Sequence, residues 1–75
     1  MNKIRRTKIK QQIDAMEIIK SSIEYILDEE QDAFDNMPES LQYSDRGETS
    51  QEAIDSMENV LSLLEEALEE LEAIA

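Results

Sequence analysis

The 75-residue chain has no cysteine, no histidine and no tryptophan, and only one proline and one glycine. Each absence excludes something. Without cysteine, no disulfide can staple the fold, although chains this short bury little core and often depend on disulfides, a metal or association. Without cysteine and histidine, a thiolate or imidazole zinc site is excluded as well. No cofactor is expected. Self-association or close helix packing remains as the route to stability. The lack of cysteine fits a reducing compartment, and a cytoplasmic protein is expected. No apolar run approaches the roughly 18 residues of a membrane span, so no membrane is expected among the partners. "MNKIRRTKIK" is followed by "QQIDAMEIIK" where a secretory leader needs its apolar segment, so no leader is expected.

Acidic residues dominate: 19 acids face 7 bases, a formal charge of -12. Most of such a surface repels nucleic acid, so direct nucleic-acid binding is not expected. Acidity of this degree often accompanies disorder. Here 40% of residues are apolar, and their periodicity argues for a packed helical protein.

In the second half, heptad position a falls on Ile54, Leu61, Leu68 and Ala75, and d on Met57, Leu64 and Leu71. Position g adds Ala53, Val60, Ala67 and Ile74. The resulting stripe covers about 3/7 of a helix, with Glu65, Glu66, Glu69, Glu70 and Glu72 outside it. The first half repeats the pattern. Position a holds Ile13, Leu27 and Phe34, d holds Ile9, Met16, Ile23 and Met37, and g holds Ile19, Ile26 and Ala33. Two seam positions are polar, Lys20 at a and Glu30 at d, a pattern that commonly fixes register or oligomer state. Ile4, Ile18 and Tyr25 share position f. They are either single surface hydrophobes or a second contact face.

Both seams stop at "FDNMPESLQYSDRG", which holds the only Pro, Gly and Phe. Pro38 cannot continue a helix and pushes Met37 out of the α region. At the first position of a short turn, it leads into Glu39-Ser40-Leu41. Leu41 and Tyr43 are then expected to plug the end of the seam. Ser44 is the preferred N-cap of the second helix, with Asp45 in its first turn. Thr49-Ser50-Gln51-Glu52 matches a capping box and is the alternative start. Gly47 and Ser50 fall at a and d, where small residues let helices approach closely.

The reading is an all-α, antiparallel two-helix hairpin, coiled-coil-like, forming a single domain over residues 1–75. Helix 1 is expected near residues 3–36, the turn near 37–43 and helix 2 near 44–74. Each helix is about 30 residues and about 45 Å long. A three-residue-wide stripe exceeds what one partner helix covers, so a homodimer forming a four-helix bundle is expected. Its shared core is assigned to Ile23, Leu27, Leu61, Leu64 and Leu68. Lys3, Arg5, Arg6, Lys8 and Lys10 are expected beside the Glu-rich end, Glu65 to Glu72, as complementary charge. The alternative is a basic arm for an acidic partner. Without residues 1–10, Lys20 and Arg46 stand against 19 acids, a formal charge of -17.

Carboxylates are the only chemically active groups in number. Asp28, Asp32 and Asp35 share one helix face, but no Gly or ligand alternation of a calcium loop accompanies them, and they read as a solvated face. Glu52-Ala-Ile-Asp55 has the E-x-x-D spacing of all-α nucleotide pyrophosphatases, yet both acids point away from the seam in this register. That enzyme class is the remote alternative. No nucleophile-base set and no phosphate loop occurs, so the chain is read as a non-enzyme.

"DEEQDAFDNMPESLQYSDRGE", followed by a Glu- and Leu-rich helix, resembles a family of small acidic helical-hairpin proteins encoded by bacteriophages and prophages. The resemblance covers Asp28 to about Leu71. Its most specific part is Asn36-Met37-Pro38-Glu39-Ser40-Leu41-Gln42, with Ser44 and Arg46-Gly47-Glu48. It implies a context and no particular activity. Short phage accessory proteins often bind and block a host protein, immune components included, in the bacterial cytoplasm. The expected function is therefore a protein-binding module that inhibits or redirects a host protein with a basic site. Asp28, Asp32, Asp35, Glu39, Gln42, Tyr43 and Arg46 are the expected contacts, and the acidic surface imitates nucleic-acid charge. The alternative is a scaffold-like assembly protein.

Overall fold

The computed structural model describes residues 1–75 and contains helices only, with 89% of residues helical. They are α1 (Lys3–Asp35), α2 (Glu39–Gln42) and α3 (Asp45–Ile74). No helix is long and apolar enough to cross a membrane. The molecule measures 58 × 15 × 13 Å. Its radius of gyration is 17.1 Å, against about 11 Å for a compact domain of this length. It is therefore a rod whose core is a line of side chains rather than a sphere.

That line is the interface of α1 and α3. Ser50 on α3 meets Glu30 on α1, and Glu65 on α3 meets Lys20 on α1. The partner number rises as the α1 number falls, so the two helices run in opposite directions. The a and d positions supply the contact. Ile9, Ile13, Met16, Ile23, Leu27, Phe34 and Met37 of the first half are half-buried, as are Met57, Leu61, Leu64 and Leu71 of the second. Ile54 at 1% exposure and Leu68 at 4% form the fully enclosed part.

Helix ends follow from local chemistry. Asn2, which the periodicity did not single out, caps α1 by accepting from the Arg5 N–H at 2.8 Å. That satisfies one of the first-turn donors that no intrahelical carbonyl reaches. At the other end Asn36 closes the helix by donating to the Asp32 carbonyl at 3.0 Å. The stretch expected as plain turn contains the single helical turn α2, with Pro38 as its N-cap rather than its first residue. The Pro38 carbonyl accepts from the Leu41 and Gln42 N–H groups at 2.8 and 3.2 Å.

Ser44 precedes α3 with extended backbone, as expected of an N-cap, but its side chain does not cap. Its hydroxyl donates back to the Leu41 carbonyl instead, tying α2 to the start of α3. Thr49-Ser50-Gln51-Glu52 lies inside α3 and starts nothing. Gly47 is buried, but the backbone it admits is that of α2. A Cβ at Gly47 would overlap the carbonyl groups of Leu41 and Gln42.

Candidate interaction surface

The tip of the rod runs from the last turn of α1 through α2 into the first turn of α3. Asp28, Asp32 and Asp35 are exposed on α1. Asp35 accepts from the Gln31 side-chain amide at 3.0 Å, an i, i+4 pair along the helix. No three carboxylates anywhere in the fold converge as metal ligands. Glu39 and Arg46 are exposed beside the turn. Glu52 and Asp55 are both exposed, pointing away from the seam.

Tyr43 and Gln42 exchange the roles expected of them. Tyr43 was expected to plug the seam or to contact a partner. It is 78% exposed and does not cover the seam end, and Leu41 is exposed as well. Gln42 was expected among the outward contacts and turns inward. Its amide donates to the Phe34 carbonyl at 3.1 Å and to the Met37 carbonyl at 3.3 Å. The Phe34 carbonyl also accepts from the Met37 N–H at 3.1 Å, so Gln42 adds a second donor there and supplies the donor of the Met37 carbonyl just past the end of α1. Side-chain capping from eight residues downstream has no signature in local spacing, which is why the sequence did not reveal it.

The two polar seam positions both find partners. Ser50, 4% exposed, donates to the Glu30 carboxylate at 2.7 Å. Lys20 pairs with Glu65 at 3.1 Å. The Glu65 hydrogen bond holds the Lys20 ammonium above the ordinary lysine value. Burial opposes that shift, while the charges of Glu65, Glu17 and Glu24 add to it.

Lys20–Glu65 is the one ion pair in the structure. Lys3, Arg5, Arg6, Lys8 and Lys10 therefore form no ion pair with the Glu-rich end of α3. Any complementarity there is the long-range attraction of two oppositely charged segments. Helix dipoles oppose both placements. The first turn of α1 carries no acid and the last turn of α3 carries no base, although acids favour helix N-termini and bases favour C-termini.

Of the residues assigned to a shared dimer core, Ile23, Leu27, Leu61 and Leu64 are half-buried and Leu68 is buried, all in the α1–α3 seam of one chain. The apolar residues left outside are the g positions Ile19, Ile26, Val60 and Ile74, together with Leu63 at position c, which the heptad count had not flagged. Ile4, Ile18 and Tyr25 at position f are exposed on the outer side of α1.

No protein-family model, curated protein or solved structure matches the chain.

Proposed function

We propose that the chain is a non-enzymatic protein-binding module, an acidic helical hairpin that presents its tip and the adjoining acidic face of α1 to a basic site on another protein. The observation that carries this reading is Tyr43. A large aromatic side chain stands 78% exposed at the tip, where its own fold makes no use of it. Tyrosine and arginine are favoured anchors in interfaces, and Arg46 lies three residues further on. Asp28, Asp32, Asp35 and Glu39 surround the same end with negative charge. Burying Tyr43 against a partner while these acids meet bases combines a desolvated anchor with charge that steers the encounter. In the context implied by the resemblance, the partner is a host protein in the bacterial cytoplasm whose basic cleft ordinarily takes nucleic acid.

Affinity capture from bacterial lysate identifies the partner. Titration of that purified partner at two salt concentrations then tests the mechanism. Affinity is expected to fall steeply with salt, since charge between exposed groups is screened over about 8 Å at physiological ionic strength. The triple variant Asp28→Lys, Asp32→Lys, Asp35→Lys is expected to weaken binding without loss of helix, and Tyr43→Ala to weaken it at unchanged stability. Salt-independent binding that ignores the triple reversal overturns the charge-mimic reading.

A scaffold-like assembly role is the second reading. The exposed Ile19, Ile26, Val60 and Leu63 favour it. Capture of self-assembled material alone, with no stoichiometric host protein, supports that role over the first.

A further inference from the structure

The exposed apolar residues are not scattered. Around a helix the heptad positions follow the order a, e, b, f, c, g, d. When two such helices pack antiparallel through a and d, positions e and b of both share one side of the rod. Positions g and c of both share the other. The two sides differ sharply in this chain. The e and b side carries Glu17, Glu24 and Asp28 of α1 with Asp55, Glu58 and Glu65 of α3. The g and c side carries no charge from Gln12 to Ile26 of α1 or from Ala53 to Ala67 of α3. Along it Ile19, Ile26, Val60 and Leu63 stand 40% to 54% exposed, with Ser22 and Ser56 among them as small residues.

The elongated chain as a whole leaves surface that a dimer could remove. A compact monomer of 8.7 kDa exposes about 4,700 Å², whereas this chain exposes 5703 Å². The surplus is on the order of 1,000 Å². A standard stable interface removes about 800 Å² from each partner.

We propose that the g and c face is covered by a second copy of the chain, docked face to face about a two-fold axis. This inference shares only Arg46 with the tip reading and otherwise rests on a different side of the rod. Charge favours a second copy on this side in two ways. Each chain carries -12, and docking through the uncharged sector keeps the two acidic sides on the outside of the assembly. The few charges that do border the face lie at its ends, and each end has both signs. Arg5 and Lys8 lie with Glu70 at the open end, and Glu29 lies with Arg46 at the tip. With the tips together, α1 meets the other α3, so Arg5 and Lys8 face Glu70 and Glu29 faces Arg46. With the tips at opposite ends, like helices meet, so Arg5 and Lys8 face Glu29 and Arg46 faces Glu70. Either docking direction places unlike charges across the interface. A self-complementary surface of this kind is what a closed two-fold dimer requires.

Sedimentation or light scattering of the unmodified protein is expected to report twice the chain mass at micromolar concentration. The variants Ile26→Lys and Leu63→Lys are expected to lose the dimer. Lysine makes this a stringent test, because each substitution lowers the net negative charge and so relieves general repulsion between copies. Ile4→Lys, outside the face, is expected to keep the dimer. A second measurement guards against variants that do not fold. The chain has no cysteine, so a single Val60→Cys thiol reports on the face and an Asn59→Cys thiol on the outer surface. Alkylation of the Val60→Cys thiol is expected to slow as protein concentration rises, while that of the Asn59→Cys thiol is unaffected. A monomeric wild type overturns the proposal, as does a dimer that survives both lysine substitutions. Equal alkylation of the two thiols at every concentration overturns it too, and leaves the face to a different protein or to solvent.

Discussion

The Ser50 hydroxyl donates to the Glu30 carboxylate at 2.7 Å across the seam of α1 and α3. Both occupy d positions, where apolar residues dominate the rest of the seam. Ser50 is 4% exposed, so its hydroxyl and the half-buried carboxylate satisfy each other in place of water. Ser50→Ala leaves the carboxylate without its donor and is expected to destabilise by about 1–3 kcal/mol. The double variant Glu30→Leu, Ser50→Ala replaces both polar partners with apolar ones and is expected to recover most of that loss. Urea unfolding of the single and double variants measures the coupling. Additive effects in that cycle contradict a direct interaction.

Gly47 supplies a prediction of opposite sign to the usual rule. In an exposed helix interior, Gly→Ala stabilises by about 1 kcal/mol. Here the added Cβ would overlap the Leu41 and Gln42 carbonyls, and backbone cannot swing aside as a flexible side chain does. Gly47→Ala is therefore expected to destabilise the chain by displacing α2, and to expose Gln42 with it. Faster amide exchange over residues 38–44 is the accompanying sign. An alanine variant with a raised thermal midpoint shows that α2 does not pack as described.

The Lys20–Glu65 pair makes stability depend on alkaline pH. Lys20 is raised above the ordinary value of 10.5 by its hydrogen bond to Glu65 first, with nearby carboxylates adding to the effect. A raised folded-state value means that the contribution is fully present below the unfolded pKa. It is lost as pH rises through the folded one. Unfolding midpoints of the wild type are thus expected to fall more steeply than those of Lys20→Met as pH rises through and above 10.5. Parallel curves for the two proteins across that window remove the pair from the account. High salt is expected to narrow their difference, since the Glu65 end is largely exposed.

The long-period features of this fold were legible, and the pairings between helices were not. Runs of apolar residues every three and four positions fixed the all-α class. Pro38 fixed the break, because steric exclusion at the preceding residue is a local effect. Helix ends came within one residue, at Asp35 for an expected 36 and at Asp45 for an expected 44. The polar seam positions Lys20 and Glu30 were visible as interruptions, and Gly47 and Ser50 as small residues on the seam. Which residue answers each one depends on the relative shift of two helices, and a heptad count leaves that free. Gln42 as an outward contact and Tyr43 as a plug were misjudged for a related reason. Both are amphipathic residues in a short turn, and one backbone rotation decides which points inward. Tyrosine was the larger apolar body and looked the better plug. The Met37 carbonyl past the end of α1 needed a donor, and glutamine is the one that can supply it through an amide.

That exchange gives the last prediction. Gln42→Ala removes the donor to the Phe34 and Met37 carbonyls. The Phe34 carbonyl keeps the Met37 N–H, but the Met37 carbonyl is left without a donor at a part-buried turn, so a loss of about 1–2 kcal/mol is expected. Gln42→Glu removes the amide donor and places a negative charge at a helix C-terminus, where the dipole disfavours it. It is therefore expected to destabilise more than alanine at neutral pH, and to recover partly when the carboxyl is protonated in acid and can donate again. Tyr43→Ala changes a side chain that is 78% exposed and is expected to shift stability by no more than about 0.5 kcal/mol. Chemical denaturation of the three variants at pH 7 and in mild acid ranks them. If Tyr43→Ala proves the most destabilising of the three, the aromatic ring packs against the seam after all, and its loss from any interface is no longer separable from loss of the fold.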